Sequence, residues 1–152
     1  MAISARLGYI YVYSKYVDED ENNSRLLAEQ RRREFLGLAA SYLRERKNLV
    51  ICPEGASTTS DKSPLPFKAG PFRLAVYVDP EPLLVPIVVV NFDKKITRTI
   101  LVAQVRKPLR LSEHLCKPIE DRALFAFISS LTAQFREWVA EARKLAAAST
   151  LL

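Results

Sequence analysis

Leu83-Leu84-Val85-Pro86-Ile87-Val88-Val89-Val90-Asn91-Phe92 is the stretch on which the fold turns. A strand with one face in water alternates apolar and polar side chains, whereas this run is almost continuously apolar. It therefore reads as a strand covered on both faces, as in a parallel sheet lying between helices. Asp79, Pro80 and Pro82 mark a turn before it. Asp93-Lys94-Lys95 marks a turn after it, and a further strand over residues 99–105 closes at Pro108.

Working upstream, Gly70 and Pro71 start a short apolar helix over residues 72–78, because proline suits the first turn of a helix. Residues 55–66 have the Ser, Thr, Asp and Pro content of a loop. Residues 49–52 read as a short buried strand stopped by Pro53. Before them a helix spans residues 25–47, capped by Ser24, with Leu27, Phe35, Leu38, Ala39 and Tyr42 on one face. The acidic run 18–23 is a loop, and Gly-Tyr-Ile-Tyr-Val-Tyr at residues 8–13 is rich in strand formers. Downstream, a last helix begins near Pro118 with Glu120 and Asp121 in its first turn, where negative charge suits the helix dipole. Leu124, Ile128, Leu131, Phe135, Trp138, Ala142 and Leu145 then repeat at spacings of four and three, one apolar seam. Strands alternating with helices predict an α/β fold: a single domain with a largely parallel sheet flanked by helices and a long C-terminal helix.

Composition bounds the function. The 152 residues, 49% apolar and 26% charged, are those of a globular domain with one core. No apolar run reaches the ~18 to 20 residues of a spanning helix. Arg6 interrupts the start where a signal peptide needs an unbroken apolar stretch. Cys52 and Cys116 are too few for a disulfide framework and fit a reducing compartment. A net charge of +6 favours anionic partners. Arg31-Arg32-Arg33 has Glu29 and Glu34 beside it, and aromatic residues do not interleave with the basic ones, so the pattern does not favour nucleic acid.

Chemistry gathers around Val50-Ile51-Cys52-Pro53-Glu54-Gly55-Ala56-Ser57-Thr58 and Leu65-Pro66-Phe67-Lys68-Ala69-Gly70-Pro71-Phe72-Arg73-Leu74-Ala75. If residues 49–52 form a strand, Glu54 emerges at its carboxyl end, where α/β sheets hold ligands. Gly55 permits the backbone to turn with positive φ. Lys68 and the free amides of the helix start after Gly70 add positive potential for a phosphate.

These blocks resemble the glycerolipid acyltransferase family. Gly8-Tyr9-Ile10-Tyr11-Val12-Tyr13-Ser14 is similar to its Gly-x-Ile-Phe-Ile-x-Arg strand, Pro53-Glu54-Gly55 to its Glu-Gly block, and Leu84-Val85-Pro86-Ile87-Val88 to its proline-containing strand. Order and spacing match over residues 5–92. The resemblance implies transfer of an acyl chain from a thioester donor, acyl-CoA or acyl-ACP, to a lysophospholipid-type acceptor such as lysophosphatidate. It implies no metal and no resident cofactor, a cytoplasmic location peripheral to the membrane, an anionic membrane surface as partner, and a substrate-binding site containing Glu54, Gly55, Ser57, Thr58, Lys68 and Gly70. Three features depart from the family. Ser14 stands where the family has a phosphate-binding arginine, and Ala56-Ser57 where Thr-Arg is usual. The family's His-x4-Asp pair, the general base and its orienting carboxylate, is missing, since the single histidine, His114, has Ile119 five residues on. Because the matching order starts at the second block, the expectation is a domain incomplete at its N-terminus, with residues 1–145 acyltransferase-like, residues 146–152 an Ala-rich tail, and no activity by itself. The alternatives are a noncatalytic lipid-binding member of the family and a small basic α/β module that binds nucleic acid or protein.

Overall fold

The computed structural model describes residues 21–55, 61–62, 64–93 and 100–149, and of residues 21–28, 31 and 32 the backbone alone. The strand expected at residues 8–13, the loop residues Ser57 and Thr58, and the beginning of the strand expected from Thr99 lie outside them. The chain divides into two compact units, Met1–Val50 with Val78–Pro80, and Ile51–Tyr77 with Glu81–Leu152.

In the first unit, helix α1 spans Glu21–Arg44. Ala39 is fully buried and Phe35 and Tyr42 are half-buried, while Leu38 is exposed. The helix stops three residues before the expected end because Arg46 takes a left-handed φ of 58°. The Arg46 amide then donates to Leu43 O and the Lys47 amide to Tyr42 O, both at 3.0 Å. That pair of bonds satisfies carbonyls the helix would otherwise leave open.

In the second unit, α2 spans Ala69–Tyr77 and buries Phe72, Leu74 and Ala75. Strands β1, Ile87–Val90, and β2, Val102–Val105, pair antiparallel with Ile87 opposite Val105 and Val90 opposite Val102. Asn91 turns the chain with φ 61°, and its side-chain amide donates to Ile100 O at 2.9 Å. Beyond Pro86 the pairing resumes as a bridge between Leu84 and Leu109. A 3-10 turn over Leu111–Glu113 leads to α3, Asp121–Ser149.

This arrangement corrects the expected largely parallel sheet flanked by helices. Among the described residues the sheet has two strands, and they are antiparallel. Two causes are visible. Residues 49–52 form no strand: Val50 is 91% exposed and Cys52 is exposed, so no parallel neighbour stands beside β1 among the described residues. The apolar run 83–92 is also not covered on both faces. Val88 and Val90 are buried, whereas Ile87 and, across from it, Val105 are 49% and 69% exposed. An unbroken apolar run does not distinguish a doubly covered strand from a hairpin strand with an open apolar face. Pro86 shortens the strand further, since it accepts from the Arg106 amide at 2.9 Å but has no N–H to donate.

The core lies along α3. Its first half joins Phe67, Phe72, Ala75, Leu111, Leu115, Leu124, Ile128 and Leu131, and its second half packs Val139, Ala142 and Ala146 against Val88 and Val90. Phe135 and Trp138 border both clusters. The expected seam holds from Leu124 through Phe135 and Trp138, both packed on the core, to the fully buried Ala142; at its end the seam rotates, with Ala146 buried and Leu145 51% exposed. A straight helix drifts about 20° per heptad against a strict seven-residue repeat, enough over three heptads to exchange one position for its neighbour. Among the described residues, no helix is long and apolar enough to cross a membrane.

Candidate functional site

Pro53-Glu54-Gly55 and Pro66-Phe67-Lys68 are joined directly. The Lys68 amide donates to Pro53 O at 2.8 Å, and the Leu65 amide donates to a Glu54 carboxylate oxygen at 2.9 Å. These two bonds close the loop whose ends they hold. Between them Gly55 turns with φ 66°, its amide donating to Cys52 O at 3.3 Å. A Cβ on Gly55 would come within 3.1 Å of Lys68 Cγ, so the lysine stem crosses the bare face of the glycine. The acidic and basic residues expected on one turn are thus brought together, with Glu54 engaged in closing the loop.

Phe67 fixes this segment to the body of the unit. It is buried, stacks on Phe72 at 6.4 Å and meets Phe135 edge-on at 5.0 Å; Phe135 in turn meets Trp138 at 5.1 Å. Such edge-to-face geometry sets the positive ring edge against the negative face of its neighbour and restrains both rings. Lys68, next in the chain, is exposed at the start of α2. Gly70 lies within the first turn of α2 with nothing within 4 Å of the position a Cβ would take, so no close approach demands a glycine there. Ser57 and Thr58, expected in the same site, lie outside the described residues.

Beside Phe67 an open cavity of about 170 Å³ is lined by Pro66, Phe67, Ile128, Ser129, Thr132 and Arg136. The Thr132 hydroxyl is committed to Ile128 O at 2.8 Å. Arg136 was not among the residues singled out from sequence, although a signal existed. Helical ion pairs form at spacings of three and four, and residues 132, 133, 139 and 140 are Thr, Ala, Val and Ala. Two other arginines of the unit are occupied: Arg73 pairs with Asp121 at 2.9 Å, and Arg106 pairs with Glu141 at 2.7 Å while lying 5.2 Å from the Trp138 ring centre. Among the described residues Arg136 and Lys68 have no carboxylate partner.

His114 ends the 3-10 turn, exposed, its ring 5.4 Å from that of Phe127. Among the described residues no carboxylate bonds to it, and none forms part of a group of three or more His, Cys, Asp or Glu placed to hold a metal ion. Cys52 and Cys116 are free and exposed. Compared with family models, curated proteins and solved structures, the chain matches none.

Proposed function

We propose that this chain is the C-terminal portion of a phospholipid or glycerol acyltransferase and contributes the acceptor side of its site. The observation that carries the reading is the pair of hydrogen bonds joining Pro53-Glu54-Gly55 to Leu65 and Lys68, beside an open cavity. It brings together in space the two motif blocks that resemble the glycerolipid acyltransferases. On this reading Glu54 shapes the acceptor pocket by fixing the loop, and Gly55 and Lys68 border it. The acceptor hydroxyl gives its proton to a histidine base supplied by a His-x4-Asp pair, which is not in this sequence. The resulting oxygen nucleophile attacks the thioester carbonyl, and the donor leaves as its thiol after collapse of the tetrahedral adduct. The chain by itself transfers no acyl group. Net positive charge draws the protein to the anionic lipid of the cytoplasmic face, where it works as a peripheral protein.

The test is to read the coding region upstream of Met1 and to assay the extended protein with labelled acyl-CoA or acyl-ACP and lysophosphatidate. An in-frame His-x4-Asp pair and acyl transfer are the expected outcome. An extended protein carrying the pair yet inactive on every acceptor overturns the reading. A region with no such pair, together with binding of this chain to lysophosphatidate vesicles, replaces it by a noncatalytic lipid-binding protein. Salt-sensitive binding to duplex nucleic acid without vesicle binding replaces it by a nucleic-acid module.

A further inference from the structure

We infer that the cavity between Pro66-Phe67 and α3 binds a phosphomonoester, with Arg136 as its principal anchor; the inference rests on the acceptor reading above and adds to it a group that the motif blocks do not contain. Four observations converge. The cavity holds about 170 Å³, comparable to the ~150 Å³ that accommodates a benzene-sized group. It therefore suits a phosphate and the carbon atoms next to it, and is too small to enclose a long acyl chain. Its walls are of two kinds, with Pro66, Phe67 and Ile128 apolar and Ser129 and Arg136 polar, as a headgroup joined to an apolar portion requires. Ser129, Thr132 and Arg136 stand at positions i, i+3 and i+7 of one helix, so they share a face. Because Thr132 donates its proton to Ile128 O, Ser129 is the hydroxyl left to donate into the cavity.

Charge selects the ligand. The guanidinium of Arg136 has no acidic residue one turn away along α3 and no carboxylate partner among the described residues. Lys68 is not part of the lining, its stem lying against Gly55, so Arg136 is the cation of the cavity wall. A phosphomonoester carries a charge of about −1.5 to −2 at neutral pH, so it gains more from the one cation lining the cavity than a singly charged carboxylate does. The planar fork of an arginine grips phosphate oxygens through two parallel bonds, which a lysine does not reproduce. Arg136 thereby supplies the function that Ser14 and Ala56-Ser57 lack in the motif blocks.

The experiment titrates glycerol 3-phosphate, and separately glycerol, into the 15N-labelled chain at low salt, following the Ser129 and Thr132 amides and the Arg136 Nε–H. Saturable shifts with glycerol 3-phosphate and none with glycerol are expected. Arg136→Gln should weaken binding on the order of 10- to 100-fold, the loss expected for charge-assisted bonds, and Arg136→Lys should recover only part of it. Ala140→Glu, which leaves the arginine in place but gives it an i+4 partner, should also weaken binding, whereas Arg122→Gln should not. Absence of saturable shifts, or equal affinity in Arg136→Gln and the parent, overturns the inference. A parallel titration with lysophosphatidate vesicles distinguishes the source: tighter binding than glycerol 3-phosphate, lost in Arg136→Gln, assigns a lipid headgroup, and equal binding assigns a soluble phosphomonoester. Arginine-dependent binding with no acyl transfer by the extended protein leaves the site standing and removes the acyltransferase reading. Acyl transfer with an acceptor KM unchanged in Arg136→Gln does the reverse.

Discussion

Replacing Gly55 by alanine should destabilise the protein by about 1 to 2 kcal/mol through backbone conformation alone, with a steric contribution added to it. Gly55 sits at φ 66°, a left-handed conformation that costs an L-residue roughly 1 to 2 kcal/mol because its Cβ crowds the following carbonyl. The added Cβ also meets Lys68 Cγ at 3.1 Å. A Cγ lies near the root of its side chain, and the Lys68 backbone is held by its bond to Pro53 O, so the stem has to shift by a few tenths of an ångström. Gly55→Asn separates the two parts, since asparagine tolerates the left-handed region but still carries the Cβ. It should therefore recover most of the conformational loss and retain the displacement of Lys68. Gly70→Ala is the opposite case: Gly70 is helical and has open space around it, so alanine should stabilise by about 0.5 to 1 kcal/mol. Urea unfolding of the four proteins measures the series, with the Lys68 amide shift reporting the displacement. A Gly55→Ala protein as stable as the parent would refute the role given to the left-handed turn, and a destabilised Gly70→Ala would show that α2 does not begin as described.

Three further outcomes can be checked. Glu54→Gln keeps an acceptor for the Leu65 amide but replaces a charge-assisted bond with a neutral one of about half the strength; Glu54→Ala leaves that amide unpaired, a loss of about 1 to 3 kcal/mol if it stays buried, so amide exchange at Leu65 should accelerate in the order parent, Gln, Ala. Ala142→Leu should destabilise by about 1 to 3 kcal/mol by overfilling the interface of α3 with Val88 and Val90, whereas Leu145→Ala should fall within about 0.5 kcal/mol of the parent because Leu145 is half exposed; denaturation midpoints decide between them. Partial burial works against the charge of Glu81, yet hydrogen bonds from the Ser112 hydroxyl and amide, the positive charge of Lys117 and a hydrogen bond from the Leu111 amide outweigh it and hold the carboxyl below its ordinary value of 4.5. The folded value is thus below the unfolded one, so the contribution is present above pH 4.5 and is lost as pH falls through the folded value. The Ser112 amide resonance should titrate in that acid range in the parent and not in Glu81→Gln.

Local chemistry made several elements legible. Gly70-Pro71 marked the start of α2, and the four-and-three spacing of Leu124, Ile128 and Leu131 marked α3, because each signal acts within a turn or two of helix. At the candidate site, the nearness of Glu54-Gly55 to Lys68 was also legible, from the motif order. What stayed hidden depends on distant partners. The same apolar run serves a doubly covered strand or a hairpin strand open on one face, and only the pairing with Val102–Val105 decides. Residues 49–52 look like a strand by composition, yet a strand needs a neighbour for its amides, and among the described residues they have none. Phe67, an aromatic between a proline and a lysine, carried no sign that it would anchor the site through Phe72 and Phe135. Arg136 could have been noticed from the neutral residues around it on the helix, but its nearness to Pro66 and Phe67 could not.

The sequence by itself determined the helices of the second unit, the closing turn at Gly55 and the charge that any ligand of this protein must complement. These follow from backbone propensity, glycine's freedom at positive φ and composition, all of which act locally. The tertiary structure alone decided the antiparallel hairpin, the rotation of the α3 seam from Leu145 to Ala146, and the meeting of Arg136 with Phe67. Each of these depends on which surfaces far apart in the chain bury one another, and burial is a property of the folded whole.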